Sequence, residues 1–211
     1  MVIFRRACKH TENIWILEII KKNGNEKKSV SLPSLKKQVF YMFDVTKIRV
    51  IDDFPTPGIK FFDITTLLND GEEYRKVLDD MLQVAREVKP DVVVALESRG
   101  FFFGPVLAYE LGIPFVPVRK AGKLPSKTYK ETYNLEYGTA TVEIHQDAMP
   151  ENRRVLIVDD VLATGGSMNA AAKLVEHFHP SSVSLLFLME LQALKGRRKL
   201  SKYDIHSLMQ V

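Results

Sequence analysis

The stretch Val155-Leu156-Ile157-Val158-Asp159-Asp160-Val161-Leu162-Ala163-Thr164-Gly165-Gly166-Ser167 decides how the chain is read. Its first four residues are apolar and mostly β-branched, the pattern of a strand in a parallel sheet buried on both faces. An acidic pair follows, then a turn of small residues with two glycines, then a helix that opens at a hydroxyl. Gly165 and Gly166 let backbone N–H groups approach an anion without a Cβ in the way. The helix N-terminus adds a favourable dipole, and Thr164 and Ser167 add hydroxyl donors. Ala163 to Ser167 therefore reads as a phosphate cradle. Asp159 and Asp160, at the C-terminal end of the strand, are placed to accept hydrogen bonds from sugar hydroxyls or to help hold Mg2+. The plainer alternative is a strand-turn-helix in which Ser or Thr only caps the helix. Two adjacent acids weigh against it, because they repel each other unless cations or hydroxyls lie nearby. The turn is neither G-x-x-x-x-G-K-[ST] nor G-x-G-x-x-G, so the ATPase and dinucleotide readings lose their fingerprints.

Working outward, short apolar runs alternate from residue 50 onward with segments of helical period, which is the α/β signature. Residues 54–58, Phe-Pro-Thr-Pro-Gly, make an irregular turn, and residues 60–66 are short and aromatic. Residues 74–88 place Val77, Leu78, Met81, Leu82, Ala85 and Val88 on one helical face, ended by Pro90. Residues 91–96 form a buried strand that delivers Glu97, Ser98, Arg99 and Gly100. A helix over 101–111 then stops at Gly112, and residues 113–118 are the next strand. Residues 119–134 show no apolar periodicity and carry Lys120, Lys123 and Lys127, which predicts a long polar loop of the lid or binding kind. Strands over 139–144 and 155–158, a helix over 167–178 and a final strand over 183–189 complete the pattern. The expectation is a mainly parallel sheet with helices on both faces and a ligand at the C-terminal ends of the strands.

The charge sits unevenly. The net charge is +4, yet residues 1–40 hold nine Lys and Arg against three Glu, so the remainder is slightly acidic. Residues 1–45 read as a basic extension, poorly ordered or loosely attached and partly helical, and residues 46–211 as the functional domain. The cluster at residues 14–20 is broken by Glu18 and makes a poor secretory signal, and the acids at 12, 18 and 26 argue against a transit peptide. A start at Met42 stays open as an alternative. Apolar runs are strand-sized, far below the roughly 18 residues of a membrane span. A single cysteine, Cys8, makes the fold independent of an oxidising compartment, and a cytoplasmic location is the default.

Beyond the glycine turn, four further segments carry a resemblance: residues 54–65 (Phe-Pro-Thr-Pro-Gly-Ile-Lys-Phe-Phe-Asp-Ile-Thr), 97–101 (Glu-Ser-Arg-Gly-Phe), 118–125 (Val-Arg-Lys-Ala-Gly-Lys-Leu-Pro) and 133–138 (Tyr-Asn-Leu-Glu-Tyr-Gly). With residues 155–167 they are similar to the type I phosphoribosyltransferases, over roughly three quarters of the chain. The resemblance implies that family's α/β fold, with a small hood over residues 46–66. It implies transfer of the 5-phosphoribosyl group of phosphoribosyl pyrophosphate to a purine in purine salvage, giving the nucleoside monophosphate and pyrophosphate. Mg2+ is implied as a cofactor bound mainly through substrate, and a homodimer as the assembly. Ala163, Thr164, Gly165, Gly166 and Ser167 would surround the 5′-phosphate, and Asp159 and Asp160 would meet the ribose hydroxyls. Glu97, Ser98 and Arg99 would meet the pyrophosphate, with Arg119, Lys120 and Lys123 near it. Glu136 and Tyr137 would fold over the site, the carboxyl of Glu136 acting at the purine N7 side or stabilising a cationic transition state. Lys60, Phe61 and Phe62 would form the hood against the base.

Family members acting on 6-oxopurines usually carry an Asp immediately before the Thr-Gly of the phosphate loop. Ala163 stands there in this chain, which tips the expected base toward adenine and the product toward AMP. Two departures stand out. Phe62 occupies a position where the family commonly has Arg, and the first 45 residues precede the usual start. The main rival is a regulator of the same fold that binds phosphoribosyl pyrophosphate and nucleic acid without catalysis. The extension lacks the two or three spaced amphipathic helices such a module needs, so nucleic acid is not an expected partner.

Overall fold

A computed structural model describes residues 2–5, 16–19, 42–134 and 138–211. The chain divides into two units, residues 1–38 and residues 39–211. In the first, β1 (Val2–Arg5) pairs antiparallel with β2 (Ile16–Ile19), Val2 facing Ile19 in register. The sequence favoured partial helix here. The repeated Ile of this stretch, stiff at χ1 and preferred in strands, accounts for the extended outcome.

The second unit starts before residue 46. Residues 42–45, assigned by sequence to the extension, lie on a long helix of this unit. The Met42 N–H donates to Asp80 at 2.8 Å, the Asp44 N–H donates to Glu73 at 2.6 Å, and Phe43 is buried. β3 (Arg49–Asp52) and β4 (Lys60–Asp63) then form a separate antiparallel hairpin, tied across by Arg49 and Asp63 at 2.5 Å. A short α1 (Thr65–Leu68) leads to α2 (Gly71–Val88). Asp70 caps α2, its carboxylate accepting from the N–H groups of Glu72 and Glu73. Val77, Met81, Leu82 and Ala85 of its expected face are buried, and Leu78 and Val88 pack against the same cluster.

The strands that follow are β5 (Val92–Leu96), β6 (Phe115–Lys120), β7 (Thr128–Asn134), β8 (Thr139–His145), β9 (Arg154–Leu162), β10 (Ser182–Glu190) and β11 (Asp204–Gln210). They make one seven-stranded sheet in the order β11-β10-β9-β5-β6-β8-β7. The pairs from β11 to β6 are parallel; β8 joins β6 antiparallel, and β7 joins β8 antiparallel. Side chains alternate between the faces. Val93, Ala95, Leu156, Val158, Leu186 and Leu188 meet α2 and α3 (Gly104–Leu111) on one side. Val92, Val94, Leu96, Val155, Ile157, Leu185 and Phe187 meet α4 (Gly166–Glu176) on the other. Both faces of the parallel strands are thus covered, as the apolar runs required. α3 ends at Gly112, whose left-handed backbone (φ 65°) returns its N–H to the last turn.

Two expectations need correction. Residues 119–134 are not one long loop: β6 continues to Lys120, and residues 128–134 form β7, paired with β8 from Thr128–His145 to Asn134–Thr139. Thr-Tyr-Lys-Glu-Thr-Tyr-Asn lies at the sheet's edge, where exposed polar residues satisfy strand pairing without an apolar stripe. Nor is residue 189 the end of the last strand, since β10 runs to Glu190 and β11 adds the opposite edge.

Leu156 is fully buried in the first half of β9, between β5 and β10. Leu156→Ala is expected to lower the unfolding free energy by about 2–5 kcal/mol. This should appear as a lower urea midpoint with an unchanged slope.

Candidate active site

The register of the central strands creates the site. β5 pairs with β9 only as far as Ala95–Val158, whereas β9 continues through Asp159–Leu162 beside β10. The end of β9 therefore outruns its other neighbour, and Asp159 and Asp160 occupy the overhang. Residues 97–100 turn beside them. Gly100 permits that approach, since a Cβ there would lie 2.6 Å from the Val158 carbonyl and 3.4 Å from an Asp159 oxygen. Arg99, opening a single 3-10 turn, brings its Nε to 2.9 Å from Asp160 Oδ2. The alignment is that of an ion pair and leaves this buried oxygen without a hydrogen bond.

The Asp160 side chain is 1% exposed and that of Arg99 43%. The Asp160 N–H donates to Asp159 Oδ1 at 3.0 Å. Burial, followed by the charge of Asp160, pushes the Asp159 carboxyl well above the usual carboxylate range. Burial also raises Asp160, with Arg99 opposing it. The pair is thus short of donors, which suits hydroxyl groups or a cation.

The glycine turn continues directly from β9. Gly165, the residue preceding α4, adopts the left-handed conformation (φ 76°), and no side chain caps the helix. Thr164 and Ser167 are therefore not spent on capping, contrary to the plainer alternative, and the first turn of α4 keeps its N–H groups for an anion. The end of β7 lies against the turn: a Cβ on Gly166 would sit 3.4 Å from the Tyr133 ring and 3.5 Å from the Asn134 carbonyl. Burial, and then the charge of Asp159, raises the Tyr133 phenol above its ordinary range.

Glu97 organises the cations. It accepts from Arg119 Nε at 2.8 Å, from Lys123 Nζ at 2.5 Å and from the Lys120 N–H at 3.1 Å. Arg119 also lies over the Phe101 ring, 6.0 Å from its centroid. Burial works to raise the Glu97 carboxyl, but the hydrogen bonds from Lys123 and Arg119 outweigh it and hold it down at about 2. A second acid, Glu143, is almost fully buried and holds the basic turn from below. It accepts from the N–H groups of Lys123 and Leu124 and pairs with Lys130 at 3.2 Å.

The structure thus brings together Asp159, Asp160, Arg99 and the turn at 163–167, and it gathers Arg119, Lys120 and Lys123 around Glu97, next to Ser98. Lys60, Phe61 and Phe62 sit on the separate β3–β4 hairpin. Lys60 faces Asp52 at 3.9 Å, Phe61 packs edge-on against Phe54 at 5.2 Å, and Phe62 packs on the α2–α3 side of the core. Glu136 and Tyr137 lie outside the described residues. Glu143, Tyr133 and Gly100 were missed as site-shaping residues. For Glu143 the signal was its place inside the alternating 139–144 run, where a carboxylate on a buried face calls for donors.

A glycine turn follows a parallel strand, an acidic pair occupies the overhang of that strand, and the side chains of Arg119 and Lys123 gather on Glu97. The family model for the phosphoribosyl transferase domain matches residues 64–209, and the chain belongs to the phosphoribosyltransferase family, among the adenine phosphoribosyltransferases. The adenine phosphoribosyltransferase of Desulfitobacterium hafniense is 54% identical over 162 residues, covering 77% of this chain and 94% of the relative. A crystal structure of adenine phosphoribosyltransferase from Thermoanaerobacter pseudethanolicus is similar with a TM-score of 0.75 and 50% identity, covering 79% of this chain and 96% of that one. A Saccharomyces cerevisiae adenine phosphoribosyltransferase, complexed with an imino-altritol bisphosphate and adenine, has a TM-score of 0.72 and 44% identity, covering 77% and 94%.

The depressed Glu97 carboxyl has a consequence for acid stability. Its pKa is about 2 in the folded chain against 4.5 for the free group, so the stability it contributes is present above pH 4.5 and is lost as pH falls toward 2. The difference in urea midpoint between wild type and Glu97→Gln is expected to be largest above pH 4.5 and to shrink across that window. A pH-independent difference would contradict the pairing.

Proposed function

We propose that the chain transfers the 5-phosphoribosyl group of phosphoribosyl pyrophosphate to adenine, giving AMP and pyrophosphate. The observation that carries this reading is the uncapped glycine turn at 163–167 directly after a donor-poor acidic pair. Phosphate and vicinal hydroxyls, one carbon skeleton apart, are what such a pair of subsites recognises. The named activity of the similar proteins supports the same reaction.

In this reading the 5′-phosphate sits on the first-turn N–H groups of α4 with the Thr164 and Ser167 hydroxyls, and Asp159 and Asp160 take the ribose hydroxyls. Arg99, beside Ser98, faces the pyrophosphate. Arg119 and Lys123 turn from Glu97 to the more highly charged leaving group, with Lys120 beside them. Departure of pyrophosphate builds positive charge on the ribose ring, and the proton lost from adenine needs an acceptor. Glu136, with Tyr137, is assigned to the base side for that purpose. Phe61 and Phe62 of the hood supply apolar surface against the purine. Ala163 leaves no carboxylate in the turn, and this favours adenine over 6-oxopurines.

Mg2+ is part of the reading. The acidic pair fits a cation that would be held mainly by substrate, since Arg99 already faces Asp160 Oδ2 at 2.9 Å and leaves Asp159 and Asp160 to orient the ion's waters or the sugar hydroxyls. When bound, the ion would supply charge neutralisation at the pyrophosphate oxygens. Homodimer assembly is part of the same reading, and the exposed Tyr109 side chain (82%) is a candidate contact. Among the described residues no helix is long and apolar enough to cross a membrane, and a cytoplasmic location agrees with the single cysteine.

The decisive assay is AMP formation from adenine, phosphoribosyl pyrophosphate and Mg2+, with hypoxanthine and guanine in parallel. Turnover with adenine alone is expected. Tight binding of phosphoribosyl pyrophosphate without turnover on any base would replace the enzyme by a non-catalytic binder. Glu136→Ala is expected to lower kcat by about 100-fold or more while leaving the affinity for phosphoribosyl pyrophosphate nearly unchanged. An unchanged kcat would remove Glu136 from the mechanism.

A further inference from the structure

The phosphate turn rests on a distant piece of backbone. A Cβ on Gly165 would lie 2.8 Å from the Gly196 carbonyl oxygen, and a Cβ on Gly196 would overlap the Ala163 carbonyl and lie 2.8 Å from Leu162 Cδ1. Glycine is therefore required on both sides of one close approach, between the turn after β9 and the segment joining β10 to β11.

The position of Gly196 is fixed from both directions. Upstream, the Leu191 N–H donates to the Leu162 carbonyl at 2.9 Å, the Leu194 N–H donates to Leu191, and Lys195 turns in the left-handed region. Downstream, Leu200 is fully buried, and Arg197 is held by a dense network. Arg197 Nε lies 2.8 Å from both carboxylate oxygens of Glu190, which is 5% exposed. Its Nη1 donates to the Ile205 carbonyl at 3.1 Å and its Nη2 to Ser207 Oγ at 3.0 Å, while Ser207 Oγ donates back to Glu190 at 2.9 Å. One guanidinium thus locks β10 to β11 at the residue next to Gly196.

We propose that Gly196 and Arg197 are positioning residues for the phosphate site, the Arg197–Glu190 lock holding the Gly196 backbone against Ala163 and Gly165 so that the amides of the turn keep their reach to a 5′-phosphate. The proposal rests on the phosphate reading of residues 163–167. The amide donors sit on a short turn, and hydrogen bonds to a charged acceptor weaken steeply as distance and angle depart from ideal. Displacing the prop by a methyl group therefore moves the donors. Ligands that carry a 5′-phosphate feel the change directly.

The test compares wild type, Gly196→Ala, Arg197→Lys and the exposed control Lys199→Ala. It measures binding of ribose 5-phosphate by titration calorimetry and the kinetic constants for phosphoribosyl pyrophosphate and adenine. Gly196→Ala is expected to weaken ribose 5-phosphate binding and raise the KM for phosphoribosyl pyrophosphate by about tenfold or more, a cost of about 1.4 kcal/mol, with kcat and the KM for adenine nearly unchanged. Arg197→Lys, which keeps the charge and loses the fork geometry, should shift the same constants in the same direction by less, and Lys199→Ala should shift none. A folded Gly196→Ala protein with wild-type ribose 5-phosphate affinity overturns the proposal. Where that variant does not fold, wild-type affinity in Arg197→Lys overturns it. Amide exchange on the wild-type chain decides independently of any variant: ribose 5-phosphate should slow exchange at residues 196–198, and no slowing there overturns the proposal. Absence of ribose 5-phosphate binding by wild type would instead sink the phosphate reading itself, and the positioning role with it.

Discussion

Two carboxylates, adjacent in sequence, Asp160 buried and Asp159 partly so, sit in the overhang of β9, and the surrounding structure is arranged to make that tolerable. Burial and mutual repulsion both disfavour their charged forms. Backbone N–H donors and the charge of Arg99 offset part of this, and Arg99 reaches Asp160 because Gly100 lets the 97–100 turn press against the Val158 carbonyl. The register that leaves β9 longer than β5 is thus inseparable from the chemistry. A β5 longer by two residues would pair with the overhang and close the crevice in which a sugar is to lie.

The cationic half of the site follows the opposite logic. Arg119 and Lys123 brought together with no counterion would repel each other, and Glu97 serves as their internal counterion while also accepting from the Lys120 N–H. Glu143 does the same work for the backbone of the turn, tying it to β8 rather than to a ligand. The carboxylates of these contacts are largely withdrawn from water while their cations stay half-exposed, so the contacts hold the cations at one place. An incoming polyanion then competes for groups already gathered, instead of ordering them itself.

Much of this was legible in the sequence where burial is two-sided. β5, β9 and β10 announce themselves as runs of Val, Ile and Leu, and the glycine turn after the acidic pair identified its own neighbourhood. The edges were harder. β7 is written in Thr, Tyr, Lys and Glu, and β11 in Asp, His and Ser before its apolar end, because an edge strand need present only part of its surface to a core. The strand at residues 16–19 lies in an extension read only as partly helical, because a short apolar cluster carries no period long enough to separate the two forms. Gly196 could not have been found at all from local pattern. Its reason for being glycine lies 31 positions upstream, at Gly165, and in a carbonyl oxygen of the phosphate turn.

The connectivity of the central sheet also governs how the chain reaches this structure. β5 finds β6 close by in sequence, but its other partner, β9, lies across an intervening stretch of chain, the junction marked by Asp91 and Arg154 at a separation of 63 residues. The entropy of closing that loop must be spent before the parallel ladder returns anything. Until then the Val-rich edge of β5 stands open in a nascent chain whose β9 has yet to be synthesised. The same strand pairing that opens a crevice for the sugar therefore makes early exposure of an apolar strand edge, and a need for protection against association, part of the life history of the fold.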